Sequence, residues 1–292
     1  MDIKKLLFAT QFEELWFDAL QSLLDLRKAS LNHVVFLNVI EREKVTMRRG
    51  AGYQKKEEIK LREKANIRFI DWAENLFEQG MEVGVYIVVG NLASQVISAA
   101  EKEAVDLIVI GRERKGKIER MLMGSDLTEI VHRTGKPVLV YKYAPETGGP
   151  LERPFERPML STDFSSASRR AVDYLMPLND VVQHVDVIHV VSEKELAGTS
   201  AMAVQKTRKE SRNKLDEMCD LLEAAGIEAR SHVYIGETVE QIEKAARECG
   251  ATMIITGTSG RGGLAERLLG SVPKELSEKS AFPTLFVPPE NL

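Results

Sequence analysis

Short apolar runs alternate along this chain with longer stretches in which apolar residues recur every three or four positions, and the whole alternation occurs twice. In the first half, 6–9 (Leu6 to Ala9) predicts a strand, and Leu15, Ala19, Leu23 and Leu26 mark one face of a helix. A second buried strand over 34–40 is followed by a charged loop and a long helical stretch over 59–77. A strand over 83–89, a helix over 93–104, a strand over 107–110, a helix over 118–133 and a strand over 138–141 complete the half. The second half repeats the order, with its first strand over 159–162, its second over 185–191, its fourth over 253–257 and its last over 284–287.

Strands that alternate with helices predict a parallel sheet covered on both faces, because parallel crossovers are long and usually helical. The expected fold class is therefore α/β, with two tandem doubly wound domains, each a five-stranded parallel open sheet with helices on both faces. Gly90 and Gly236, Pro137 and Pro283, and Gly111 and Gly257 all share an offset of 146 residues. Gln11 and Asp163, and Val39 and Val190, are offset by 152 and 151, so the extra residues of the first copy fall in the charged stretch 42–60. The expected division is 1–143 and 157–292, with 144–156, rich in proline and glycine, as linker. Each last strand is short, apolar and preceded by proline, an edge that invites pairing. The two halves are expected to pair through 138–141 and 284–287, giving one chain the form of a pseudo-dimer.

Net charge −4, a pI near 5.9 and 29% charged residues describe a soluble acidic protein, which makes nucleic acid an unlikely partner. The sequence has neither a membrane-spanning run nor a signal-peptide core, so a cytoplasmic location and no membrane partner are expected. Cys219 and Cys249 are too few for a disulfide framework, and Cys219 shares a helical face with Leu215, Met218 and Leu222. The five histidines show no metal spacing, so no metal site is expected from sequence.

Candidate chemistry lies in the glycine pattern. Gly257-Thr-Ser-Gly260, nine residues, then Gly270-Ser271-Val272 leads from a buried strand into a helix. Glycines at 257 and 260 permit positive φ and close backbone approach, turning N–H groups toward one point. Ser271 as cap and Pro273 in the first turn would add a helix N-terminus, so both ends of the loop address an anion such as phosphate. Asp163, after the first strand of this half, lies at the same edge of the sheet; it either caps the following helix, the commoner role on spacing alone, or holds neutral hydroxyls such as those of a ribose. The first copy has Gly111, then Arg114 in place of the second glycine, then Gly124-Ser125-Asp126. Asp126 would compete with phosphate for a helix N-terminus, whereas Arg114 would offer an anion a guanidinium.

Met159 to Ser165, Ile188-His-Val190, the spaced glycines with Ser271 and Val272, and Phe282-Pro-Thr-Leu-Phe-Val287 together resemble the universal stress protein family, once per half. The resemblance implies a fold of the adenine nucleotide alpha hydrolase-like type and a stress-response role built on an adenine-nucleotide site for ATP, ADP or AMP. It assigns Asp163 to the ribose, Val190 to the adenine edge, and Gly257, Gly260, Gly270, Ser271 and Val272 to ribose and phosphates, with a Mg or Mn ion open as companion to the phosphates. The equivalent first-copy positions, Gln11, Val39, Gly111, Arg114, Gly124 and Ser125, depart from the pattern at Gln11 and Arg114, and Asp126 departs as well. Loss of ordinary ATP binding is the favoured reading there. No acid–base pair, nucleophile elbow or Walker lysine accompanies the loop, so binding is favoured over catalysis. A slow ATPase or phosphotransferase and a scaffold with a vestigial site are the alternatives, and assembly of two chains into a homodimer stays open.

Overall fold

The computed structural model describes residues 2–12, 15–46, 52–111, 119–143, 149–196, 198–259 and 269–290, with the backbone alone at 119–125 and 194. The first half runs β1 (Lys5–Ala9), α1 (Phe17–Gln21), β2 (His33–Glu41), α2 (Arg42–Val45), α3 (Lys55–Glu78), β3 (Glu82–Gly90), α4 (Leu92–Lys102), β4 (Leu107–Gly111), α5 (Glu119–Arg133) and β5 (Val138–Tyr141). The second runs β6 (Pro158–Ser161), α6 (Ser166–Leu175), β7 (His184–Ser192), α7 (Glu193–Leu196), α8 (Ala201–Ala224), β8 (Glu228–Gly236), α9 (Thr238–Glu248), β9 (Met253–Gly257), α10 (Ser271–Lys279) and β10 (Thr284–Val287).

All ten strands form one sheet in the order β3-β2-β1-β4-β5-β10-β9-β6-β7-β8. Pairing within each half is parallel, and the halves meet where β10 runs antiparallel to β5, with Phe286 opposite Val138 and Thr284 opposite Val140. The two proline-led edges therefore satisfy one another, as their sequence predicts. Both faces of the sheet are buried. Phe8, Phe36, Leu160 and Val187 pack on one face with Phe69 and Trp72 of α3 and Leu215 of α8. Leu7, Val35, Ile188 and Ile254 pack on the other with Val96 of α4, Ile130 of α5, Ile242 of α9 and Leu276 of α10. Among the described residues no helix is long and apolar enough to cross a membrane.

The short helix α2 forms inside the stretch expected as a charged loop, and two predicted helices differ from the sequence expectation. The predicted first helix breaks into α1 and a 3-10 turn over Leu24–Ala29, although Leu15, Ala19, Leu23 and Leu26 all stay buried. The long helix α3 starts at Lys55 instead of residue 59. Its N-terminus has no side-chain cap and is organised around the buried Glu58, whose carboxylate accepts from the Tyr53 hydroxyl at 2.7 Å, Lys55 Nζ at 2.8 Å and Arg62 Nε at 2.7 Å. These bonds, from Lys55 first, hold the Glu58 carboxyl down at about 2. The described part of the proline- and glycine-rich connection is docked on both halves: the Leu151 N–H donates to the Tyr141 hydroxyl at 3.1 Å, the Thr252 hydroxyl donates to the Pro154 carbonyl at 2.7 Å, and Phe155 is buried.

Candidate functional site

In each half the strand order reverses between the first and fourth strands, and the loops leaving their carboxyl ends share one crevice. In the second half these strands are β6 and β9, with Ser161 opposite Thr256. The turn after β6 is tightly determined. The Thr162 hydroxyl oxygen accepts the Phe164 N–H at 2.9 Å, and Phe164 takes a φ of 63°, uncommon for an aromatic residue. Asp163 Oδ1 then accepts the Ser165 N–H at 3.0 Å and the Ser168 hydroxyl at 2.8 Å. The cap of α6 is Ser165, whose side chain accepts the Ser168 N–H at 3.3 Å. Asp163 is thus not the helix cap. It is half-buried and fixed by the turn.

Val190 is 8% exposed and lies beyond the last β6 partner of β7, since that register ends at Ser161 opposite Ile188. The Ile188 carbonyl accepts the Thr162 N–H at 2.9 Å, and in a parallel ladder alternate residues turn their polar groups to the same side. Val190 therefore presents its N–H and carbonyl past the end of β6, where no β6 residue stands opposite. Neighbouring His189 points its Nδ1 at the Thr162 carbonyl, 2.8 Å away, and its ring lies tilted against Phe164, with centroids 4.5 Å apart.

The glycine loop corrects part of the sequence reading. Gly257 does not adopt positive φ; a Cβ there would meet Ala167 Cβ at 2.8 Å, so this glycine lets α6 approach β9. Gly260 lies outside the described residues. The loop ends are tied by the Gly270 N–H, which donates to the Thr258 carbonyl at 3.0 Å. Gly270, not Ser271, is the N-cap of α10, and no side chain caps this helix. Ser271 and Val272 occupy its first two positions, where N–H groups have no intrahelical acceptor, and Pro273 has no N–H to satisfy. Ser259, which sequence reasoning passed over although it sits inside the glycine pattern, is buried with its hydroxyl unpartnered among the described residues. Asp163, Val190, Gly257, Ser259, Gly270, Ser271 and Val272 all line one cleft of about 180 Å³.

The first half repeats the scaffold and changes the chemistry. Thr10 accepts the Phe12 N–H at 2.8 Å, Phe12 has φ 65°, and Asn38 Nδ2 reaches the Thr10 carbonyl at 2.8 Å. Gln11, however, donates to Glu41 at 3.0 Å and accepts from Lys44 Nζ at 3.3 Å. Gln11 and Val39 line a cleft of about 390 Å³ against α3, with Lys44, Lys64 and Arg68 on its wall. Gly111 closes β4, and Arg114 lies outside the described residues. Gly124 and Ser125 do not open a helix, because α5 already begins at Glu119, and Asp126 therefore sits in the helix interior, where Asn91 Nδ2 donates to it at 3.3 Å. The physical reason is one residue. Leu127 stands where the second copy has Pro273, and its N–H permits the ladder to run back through Met123, whereas proline has no N–H and clashes with the carbonyl four residues earlier.

Comparison with known proteins agrees with the duplication. The universal stress protein family matches residues 2–142 and again residues 155–288. This chain belongs to that family. The archaeal universal stress protein MJ0577 of Methanocaldococcus jannaschii is 29% identical over 153 residues, 48% of this chain and 94% of its own length. Universal stress protein Rv2005c of Mycobacterium tuberculosis is 25% identical over 195 residues, 62% of this chain and 61% of its own. A universal stress protein structure from Archaeoglobus fulgidus superposes over 99% of this chain and 98% of its own, with a TM-score of 0.75 and 22% identity, which shows a shared tandem fold. The universal stress protein architecture is therefore present twice in one chain, with the residues at the two crevices differing.

Proposed function

We propose that this protein is a cytoplasmic stress-response regulator that binds one adenine nucleotide, ATP, ADP or AMP, in its second half. In this reading Asp163 holds the ribose hydroxyls, the Val190 backbone meets the adenine edge, and Gly257, Gly260, Gly270, Ser271 and Val272 surround ribose and phosphates. Mg or Mn arrives with the phosphates. The observation that carries the reading is the buried Ser259 hydroxyl, without a partner among the described residues, in a cleft whose lining also includes the uncapped start of α10. Buried polar groups are normally hydrogen-bonded, and an uncapped helix N-terminus attracts anions. The cleft is smaller than the roughly 300–1,000 Å³ usual for ligand pockets, so the phosphates would extend outward over the start of α10. The first half, with Gln11 engaged by Glu41 and Lys44 and without a helix start at Gly124, does not hold ATP in the ordinary way.

Denaturing freshly purified protein and quantifying the released nucleotides by chromatography with mass detection tests this reading. About one adenine nucleotide per chain, lost in Asp163→Ala, is the expected result. Two per chain would overturn the asymmetry, and none, with no binding on titration, would overturn the site.

A further inference from the structure

At the other end of β7, on the face covered by α9, three side chains of different chemistry converge. His232 Nε2 lies 2.9 Å from Asp186 Oδ1, and one ligand atom from each of Asp186, His232 and Cys249 lies within 4.8 Å of the other two. Asp186 Oδ2 is in turn 3.2 Å from His184 Nε2, whose Nδ1 is 3.6 Å from Glu228 Oε1. We propose that Asp186, His232 and Cys249 form a site for a divalent transition metal of the zinc class, with His184 as the residue that positions Asp186.

A carboxylate oxygen, an imidazole nitrogen and a sulfur are the donor types that zinc accepts, and a thiolate selects against magnesium and calcium. Bonds of about 2.0–2.3 Å in a tetrahedron place ligand atoms roughly 3.3–3.8 Å apart, so shifts of about an ångström close the cluster on an ion. Asp186 is nearly buried, whereas the His232 side chain is 38% exposed, which leaves an entry path and a fourth position for water. A histidine holding the second carboxylate oxygen is the kind of outer contact that fixes a ligand's orientation.

Among the described residues the first half has no matching donor set at the same place. His33 matches His184 at the start of its strand, but Val35, Tyr86 and Glu103 stand where the second half has Asp186, His232 and Cys249. There the Tyr86 hydroxyl donates to Glu103, which also pairs with Lys5 Nζ at 3.3 Å. Three positions on three elements thus differ together, from a buried valine beside a Tyr–Glu–Lys contact to three hydrogen-bonded side chains of metal-donor chemistry. Sequence spacing hides the set because its members lie on β7, on β8 and at the end of α9. Asp186 is four residues from Val190, about 13 Å along the strand, so the site is separate from the nucleotide cleft.

The test uses the full chain stripped with a chelator and titrated with Co²⁺, followed by displacement with Zn²⁺. One Co²⁺ per chain is expected, with a thiolate-to-cobalt charge-transfer band that vanishes in Cys249→Ser and persists in Cys219→Ser. His232→Gln should weaken binding at least tenfold. On the unmodified chain, Zn²⁺ should slow alkylation of Cys249 at least tenfold, and a chelator should restore the rate; this readout needs no variant to fold. Absence of the band at excess Co²⁺, its survival in Cys249→Ser, or an alkylation rate indifferent to Zn²⁺ would each overturn the proposal.

Discussion

The two halves share a backbone that their side chains do not require. Phe12 and Phe164 hold φ angles of 65° and 63°, each stabilised by the preceding threonine hydroxyl, and Asn38 and His189 reach the equivalent carbonyl with different chemistry. A Cβ on Gly90 or on Gly236 would come within 2.9 Å of the glutamine five residues later. Against this common frame stand a few replacements with large local effects: Gln11 for Asp163, Leu127 for Pro273, and Val35, Tyr86 and Glu103 for Asp186, His232 and Cys249. The fold is carried by strand pairing and the two cores, so the crevice residues are free to diverge.

The largest contrast expected is at the ribose position. Asp163→Ala should weaken nucleotide binding about a hundredfold, from the loss of charge-assisted hydrogen bonds of about 1.5–3 kcal/mol each, while Gln11→Ala leaves it unchanged. Titration calorimetry with ATP and AMP measures both, and Asp163→Asn, which keeps the acceptor for Ser165, separates binding from the turn. Equal losses at 11 and 163 would erase the functional difference between the halves. Exchanging the helix-start residues should give a large, reciprocal result. Leu127→Pro inserts proline into the interior of α5 and should cost about 3 kcal/mol in denaturant melts. Pro273→Leu should leave stability nearly unchanged and reduce nucleotide affinity by letting α10 extend backward. A smaller effect is expected for Gly257→Ala, about 1–3 kcal/mol from overpacking against Ala167, with Gly135→Ala, which faces open space, as a neutral control.

The smallest effect concerns the long helices. Ser200 caps α8 by accepting the Ala203 N–H, whereas α3 lacks a cap and relies on Glu58. Because the Glu58 carboxyl is lowered from 4.5 to about 2, its stabilisation is present above about pH 4.5 and is lost as pH falls toward 2. Glu58→Gln should therefore lower Tm modestly at neutral pH, and the gap should close on acidification. A gap that widened in acid would contradict the assignment.

Most of the architecture was legible because strand and helix periods differ and because the two copies check each other. The pairing of β5 with β10 followed from two short apolar edges that needed partners. The division of labour at Asp163 and Ser165 was not legible, since both can cap a helix, and the choice depends on the turn geometry set by Thr162. The helical period already placed the start of α5 near residue 118, whereas the glycine pattern suggested a second start at Gly124 and Ser125; Leu127, aligned with Pro273, decides for the first. Ser259 was missed because one serine in a glycine loop carries no pattern; only its burial singles it out.

The antiparallel joint between β5 and β10 has an evolutionary consequence. When two identical chains associate through such an edge, every substitution appears on both sides, and dilution can separate them. Here a covalent connection keeps the partner edge at high effective concentration however scarce the protein is. One side can then lose an ancestral property, or acquire a new one, without its twin having to follow.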